Sequence, residues 1–219
     1  MCSFPVHLFY SKLMHGYHGE CLKDESYINS DYSMPIAETA SIFCETIVKN
    51  AAIKEGSPEE AFTILEGSIS DSAQVIVDIL SRYYFETALF KIREDHALTP
   101  DELKEEMTKA QLNTYGDGLD KNFLHPYMWA CKPHYYYVDS NFYNFPYAFG
   151  QLFAKGLYAT YLEKGQEFVD EYDKLLAVTG KKSIADAAKI MNVDVNDIDF
   201  WRGSLKIIED EIEKFINIR

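Results

Sequence analysis

Residues 35–58 read PIAETASIFCETIVKNAAIKEGSP, and this stretch decides the fold class. Its apolar side chains recur at intervals of three or four residues, which is the period of one helix face. They are Ile36, Ala40, Phe43, Ile47 and Ala51. Pro35 suits the first helical turn, and Gly56 ends the pattern. The same period recurs along most of the chain, whereas the alternation typical of strands is almost missing, so the sequence predicts an all-α protein.

Start signals divide the rest of the chain into helices. Ser57, followed by Pro58 and two glutamates, is typical of an N-cap with an acidic first turn. Thr99-Pro100-Asp101-Glu102 predicts a capping box. A helix precedes His18, and a long helical pattern reaches Arg93 with an expected break near Gly67. Further helices are predicted at 141–164, 166–178, 183–191 and 200–218, after an irregular aromatic segment at 124–137. Without a long linker or an internal repeat, these helices predict a single domain.

Charge and composition limit the possible partners. The 219 residues carry 35 Asp and Glu against 21 Lys and Arg, for a net charge of −14. Such an acidic chain has no basic surface for phosphates, which argues against nucleic acid and anionic membranes. No apolar run approaches the length of a membrane span. The four cysteines are widely spaced and form no CxxC pair, so we expect a cytoplasmic protein with reduced thiols.

Two groups of metal-ligand residue types lie on the first two predicted helices. His15 and His18 are three residues apart and share a helix face. Glu38 and Glu45 lie two turns apart on the next helix, on either side of an apolar stripe. Two histidines and one glutamate can form a catalytic zinc site with an open fourth position. Either spacing alone is also typical of solvated helix faces.

The third feature is an aromatic segment. His134 is followed by three tyrosines, and Tyr143 and Tyr147 lie four residues apart at a predicted helix start. Such a segment can simply be core. A histidine and two tyrosine hydroxyls on one side of a site can also donate hydrogen bonds to an oxyanion.

Four runs of residues resemble the active-site region of the oligoendopeptidase F family, which are cytoplasmic zinc peptidases related to thimet oligopeptidase. They are HGYHG at 15–19, PIAETASIFCE at 35–45, KPHYY at 132–136 and FYNFPYAFG at 142–150. The resemblance extends from His15 to the C-terminus, roughly the final third of a typical member. It implies a helical zincin-type catalytic domain at 15–219, preceded by an atypical segment at 1–14.

The resemblance also implies roles for single residues. His15 would be the second histidine of HExxH and a zinc ligand, and Glu38 would be the third zinc ligand. Glu45 would support the ligands from outside the zinc's coordination sphere. His134, Tyr143 and Tyr147 would hold the substrate backbone and stabilise the oxyanion. The implied reaction is the hydrolysis of internal bonds in short peptides.

The chain departs from the family where the first histidine and the catalytic glutamate would stand. Those positions are Ser11 and Lys12, in the run SKLMH. Serine is a poor zinc ligand, and a charged lysine cannot take a proton from zinc-bound water. We therefore expect a broken zinc site and no useful peptidase activity. His18 could substitute as a ligand, but the general base would still be missing.

Two expectations and one alternative follow. The resemblance fades upstream of Leu13, which favours a chain that starts late, such as a truncated or frameshifted gene product. An exposed wall of the family's substrate channel would then promote self-association. The alternative is a non-catalytic helical module that binds peptides or a partner through the retained groove. A di-iron helix bundle is the least favoured interpretation, because the chain has no ExxH motif.

Overall fold

A computed structural model describes residues 3–139 and 141–218, with side chains described from Lys12 onward, apart from Ser140 and Arg219. Within these ranges the chain forms nine α-helices and no strand. They are α1 (Ser3–Cys21), α2 (Met34–Glu55), α3 (Pro58–Ala73), α4 (Ile79–Ile92), α5 (Pro100–Tyr115), α6 (Phe145–Lys164), α7 (Gln166–Leu176), α8 (Ile184–Ala188) and α9 (Ile198–Ile218). The predicted all-α domain is confirmed.

The contacts of this helical domain divide it into two compact units. We call residues 1–70 together with 149–219 the terminal unit, and residues 71–148 the central unit. The predicted site residues are distributed between them, so the two units are described separately.

The terminal unit buries an aromatic core. Phe43 of α2 stacks against Phe168 and Tyr172 of α7, with ring centroids 5.3 and 4.9 Å away. Helices α2 and α6 approach so closely that a Cβ on Gly150 would lie 2.6 Å from the Cβ of Glu38. Only glycine fits at that crossing, and Glu38 is therefore held against α6 through its own backbone and Cβ.

The central unit packs α4 against α5 around buried Phe85 and Met107. Thr99 and Glu102 form the predicted capping box at the start of α5. Gln111, buried on α5, exchanges two hydrogen bonds with the backbone of His125, at 2.9 and 3.0 Å. These bonds fasten the irregular aromatic segment, which contains short 3₁₀ turns at Met128–Cys131 and Pro133–Tyr136. The buried amide of Gln111 thus holds the segment against α5, in addition to the turn hydrogen bonds that the segment forms within itself.

Two predicted boundaries were wrong. Gly67 lies inside α3, and the break comes later, at a π-helical turn spanning Gln74–Asp78. The helix expected from Asn141 begins at Phe145. Phe142 has a φ of 54°, in the left-handed region, so a right-handed helix cannot run through it.

The predicted boundary between residues 14 and 15 falls inside α1, whose described backbone is continuous from Ser3. Residues 1 and 2 of the predicted N-terminal segment lie outside the described residues. The predicted start at Ser57 is confirmed, because its hydroxyl accepts from the backbone N–H of Glu60 at 3.3 Å while Glu60 bonds back to Ser57. None of the helices in the described ranges is long and apolar enough to cross a membrane.

Candidate functional site

The proposed metal ligands and the proposed substrate-binding residues fall in different units. His15, His18, Glu38 and Glu45 belong to the terminal unit. His134, Tyr143 and Tyr147 belong to the central unit. Within each unit the side chains form a distinct arrangement.

His15 lies on the exposed side of α1. Its Nδ1 is 3.1 Å from the hydroxyl of Tyr32. This contact leaves Nε2 as the ring nitrogen that could take a metal. Of His15 and His18, His15 is thus the one that remains open to solvent.

His18 is fully buried, with its ring 3.8 Å from the ring of Tyr32. Its Nε2 lies 2.7 Å from the hydroxyl of Thr179. That hydroxyl donates to the carbonyl of Leu176, so it accepts from an N–H of His18. Nδ1 then carries the lone pair, and it is buried without a partner. Burial lowers the pKa of His18 from 6.5 to about 4, so the ring is neutral at pH 7.

The two α2 carboxylates are half-buried rather than fully solvated. Glu45 pairs with Lys49 one turn further along α2, at 2.8 Å. Glu38 lies at the tight crossing with Gly150. The Glu45 carboxylate is therefore engaged by Lys49, and the Cβ and backbone of Glu38 are fixed against α6.

These residues do not fit a zinc site of three protein ligands. Among the described side chains, those of residues 12–139 and 141–218, no three His, Cys, Asp or Glu are grouped so that they could hold one metal ion. His18 is bonded to Thr179 at one nitrogen and enclosed at the other. Ser11 and Lys12 lie in α1 one turn before His15, and the Lys12 side chain is exposed. Because Lys12 is exposed, solvent weakens the interaction of its charge with other groups.

The central unit contains a chain of buried polar groups that leads to His134. Arg82 on α4 donates to the carboxylate of Asp78, one turn earlier, and to Oδ1 of Asn144 at 3.1 Å. The amide nitrogen of Asn144 lies 2.8 Å from Nε2 of His134. Tyr115 donates to the other oxygen of Asp78 at 3.0 Å. Asp78, Arg82, His134 and Asn144 are each less than a tenth exposed. His134 is therefore held by a continuous hydrogen-bonded network.

A second set of contacts positions Tyr143. Buried Glu86 accepts the backbone N–H of Phe142 at 2.7 Å, which supports the left-handed backbone there. The ring of Phe142 packs between Tyr83 and Phe90, with centroid distances of 5.5 and 5.6 Å. Tyr143 thus lies in the turn before α6, and the expectation of a helical Tyr143 was wrong.

The predicted grouping of His134 with the two tyrosines nevertheless occurs within this unit. The ring of Tyr143 lies 5.8 Å from that of His134 and 6.2 Å from that of Tyr147. Burial is the main cause that lowers the pKa of His134, and the charges of Arg82 and Lys132 lower it further. A neutral imidazole beside two phenols can exchange hydrogen bonds with peptide groups at neutral pH.

The residues that hold this site were missed by sequence reasoning. They are Asp78, Arg82, Glu86 and Asn144. A signal was present, because Asp78 and Arg82 are charged and four residues apart within the otherwise apolar run VIVDILSRYYF at 75–85. An ion pair at that spacing in an apolar helix indicates burial.

Comparison with solved structures shows that other proteins share this helical fold. A candidate peptidase from Chlamydophila abortus superimposes with a TM-score of 0.88 over 99% of this chain, at 21% identity. Oligoendopeptidase-F from Enterococcus faecium superimposes with a TM-score of 0.76 over 95% of this chain, at 19% identity. At these identities the likeness establishes the fold alone. This chain covers 36% and 38% of those two chains, respectively.

Sequence comparison finds relatives that are named oligopeptidase or oligoendopeptidase F. Group B oligopeptidase PepB of Streptococcus agalactiae is 25% identical over 90% of this chain. An oligoendopeptidase F homolog of Borreliella burgdorferi is 25% identical over 94% of it. The chain spans about a third of the length of these relatives, 32% and 34%. No family model matches the chain. The resemblance to the C-terminal third of oligoendopeptidase F is confirmed by these relatives.

Proposed function

We propose that this chain is a cytoplasmic oligoendopeptidase F-like protein that binds short peptides and does not hydrolyse them. Binding is assigned to His134, Tyr143 and Tyr147 of the central unit. The observation that carries the proposal is the buried network ending at His134, next to the ring of Tyr143. These buried hydrogen bonds specify the orientation of His134, because water does not replace a lost partner at a buried group.

Peptide is the ligand class that this chemistry suits. Each peptide unit offers a carbonyl acceptor and an N–H donor, and the imidazole and phenol groups can match both. Tyr143 is 37% exposed, so its ring is accessible to a ligand while one side packs towards His134. The peptidase relatives support the same ligand class.

The inactivity part of the proposal rests on Ser11 and Lys12. Hydrolysis by the family mechanism requires a histidine ligand and a glutamate base at these two positions. The ligand types that do occur are His15 and Glu38, and His18 is engaged with Thr179. We therefore expect weak zinc retention and no chelator-sensitive cleavage.

The first experiment measures zinc content and cleavage of a fluorogenic peptide on one purified sample. We expect much less than one zinc per chain and no cleavage that EDTA abolishes. One zinc per chain together with EDTA-sensitive cleavage would overturn the inactivity.

Peptide binding is tested on the same protein by fluorescence anisotropy with a labelled, unstructured peptide. Tyr143→Phe removes one hydroxyl and should weaken binding about fivefold, which is the size of a single neutral hydrogen bond. The matched control, Tyr137→Phe, removes a hydroxyl from a 54% exposed tyrosine of the neighbouring segment and should change affinity less than about twofold. Equal effects of the two variants, or no binding by the parent protein, would contradict the assignment.

A second function, docking of a partner or of another copy of this chain, is favoured by one observation. Tyr136, Tyr137 and Val138 are consecutive and are 61%, 54% and 97% exposed. Light scattering across a concentration series tests self-association, with Val138→Glu as the disrupting variant. A mass that rises with concentration and falls in the variant supports it, and a monomer at every concentration contradicts self-association.

A further inference from the structure

The structure assigns to Asn144 and Arg82 the control of which ring nitrogen of His134 carries the proton. We propose that they hold His134 as its Nδ1–H tautomer, so that Nδ1 is the hydrogen-bond donor offered to a bound peptide carbonyl. Asn144 and Arg82 are positioning residues in this scheme. The peptide role of the donor rests on the proposed function, whereas the tautomer itself does not.

The direction of each hydrogen bond follows from Arg82. A guanidinium has donors only, so the Asn144 atom that it contacts must be the acceptor oxygen, Oδ1. The remaining amide atom, Nδ2, is then the one that lies 2.8 Å from His134. An amide nitrogen can only donate, so Nε2 of His134 must accept. In a neutral imidazole with an accepting Nε2, the proton is on Nδ1.

The amide of Asn144 cannot rotate by half a turn without loss. Rotation would place its NH₂ group against the guanidinium of Arg82, donor against donor. Arg82 itself is held by the Asp78 carboxylate, which also accepts from Tyr115 at 3.0 Å. Because Asp78, Arg82 and Asn144 are buried, water does not replace a lost partner among them. The charge on Arg82 therefore fixes the amide, and the amide fixes the imidazole.

The same arrangement opposes a doubly protonated imidazole. An N–H at Nε2 would meet the donating amide of Asn144. Arg82 and Lys132 are the cations that act on His134, and both disfavour a further positive charge. Buried Asp78 and Glu86 are the carboxylates of this part of the unit, and they are engaged by Arg82, by Tyr115 and by the backbone of Phe142. The Nδ1–H form is thus favoured over both alternatives.

The tautomer is measured by ¹⁵N NMR of histidine-labelled protein at pH 7, without peptide. The His134 signals are assigned by their loss in His134→Gln. We expect an Nε2 shift typical of an unprotonated nitrogen and an Nδ1 shift typical of a protonated one. One net hydrogen bond is worth roughly a fivefold population ratio, so Nδ1–H should predominate by at least that factor. A predominant Nε2–H form or imidazolium would overturn the proposal.

Asn144→Asp keeps nearly the same side-chain shape but replaces the amide that donates to Nε2 of His134 by a group that can only accept. A carboxylate there accepts both from Arg82 and from Nε2–H of His134, so the proton should move to Nε2 and the pKa of His134 should rise. The matched control is Asn122→Asp, which adds the same charge at an exposed position of the same unit. An unchanged tautomer in a folded Asn144→Asp protein would overturn the control by Asn144. If that variant does not fold, the spectrum of the parent protein still decides the tautomer.

Peptide titration of the same samples separates this inference from the proposed function. Asn144→Asp should weaken peptide binding about five- to tenfold, while Asn122→Asp should leave it within about twofold. A parent protein with the Nδ1–H tautomer but no peptide affinity would refute the proposed function and leave the tautomer assignment standing. Full peptide affinity in a variant with a proven Nε2–H tautomer would refute the donor role of Nδ1.

Discussion

His18 of the terminal unit and His134 of the central unit are both buried, and burial lowers the pKa of both rings. Their hydrogen bonds are opposite. His18 donates from Nε2 to the hydroxyl of Thr179, whereas His134 accepts at Nε2 from the amide of Asn144. The two rings are therefore opposite neutral tautomers.

The difference separates two effects that are easily confused. Desolvation determines that each ring is neutral, because it penalises the charged form of any histidine. The partner atom then determines which nitrogen keeps the proton. Only His134 is connected to a charged residue, Arg82, through its partner. A buried histidine with a lowered pKa is thus no sufficient sign of a functional group.

The largest effect is expected from Arg82→Met. This variant leaves the Asp78 carboxylate buried without its cation and Oδ1 of Asn144 without its donor. Breaking a buried ion pair in this way typically costs about 3–5 kcal/mol of unfolding free energy. Urea denaturation at pH 7 measures the loss.

A double variant provides the control for Arg82→Met. Adding Asp78→Asn removes the unpaired charge, so the double variant should be more stable than Arg82→Met alone. A loss below about 1 kcal/mol in Arg82→Met would mean that the network does not hold the central unit.

Acid should destabilise the terminal unit through His18. Its pKa is about 4 in the folded protein against 6.5 when unfolded, so the unfolded state takes up the proton first. The stability is complete above pH 6.5 and falls as the pH drops towards 4, by about 2–3 kcal/mol. Urea denaturation at pH 7, 5.5 and 4 measures this loss.

His18→Gln should remove the His18 part of the acid loss, because glutamine can still donate to Thr179 but does not titrate. His134 also has a lowered pKa and contributes a loss of the same sign, which this variant retains. The control is Asn122→Gln at an exposed position, which changes no titratable group and should keep the acid dependence of the parent. An identical acid dependence in His18→Gln and the parent would exclude His18 as its source.

A smaller loss is expected when the acceptor of His18 is removed. Thr179→Val removes the hydroxyl that accepts from the buried Nε2–H of His18, at a cost of about 1–2 kcal/mol at pH 7. Thr46→Val is the control, because this buried hydroxyl donates only to the carbonyl of Ile42 on its own helix. Thermal unfolding of both variants should show the larger decrease in Tm for Thr179→Val. The opposite order would contradict the tautomer assigned to His18.

Local signals in the chain predicted most of the helices. Thr99 and Glu102, three residues apart, formed the capping box that their spacing indicates. The beginning of α3 after Ser57 likewise depends on a residue only three positions away, Glu60. The boundary at Asn141 was wrong because the left-handed Phe142 depends on Glu86, 56 residues earlier in the chain. A backbone conformation that a distant carboxylate supports leaves no pattern in the neighbouring residues.

By itself the sequence determined the helical class, the capped helix starts, the family resemblance and the residues Ser11 and Lys12 in the HExxH register. These depend on residue type and short spacing, which a chain carries without folding. Only the tertiary structure decided that His18 is buried and bonded to Thr179. It also decided that hydrogen bonds connect Asp78 to His134 through Arg82 and Asn144. Protonation and hydrogen-bond direction depend on burial and on partners far apart in sequence, and those are created when the helices pack.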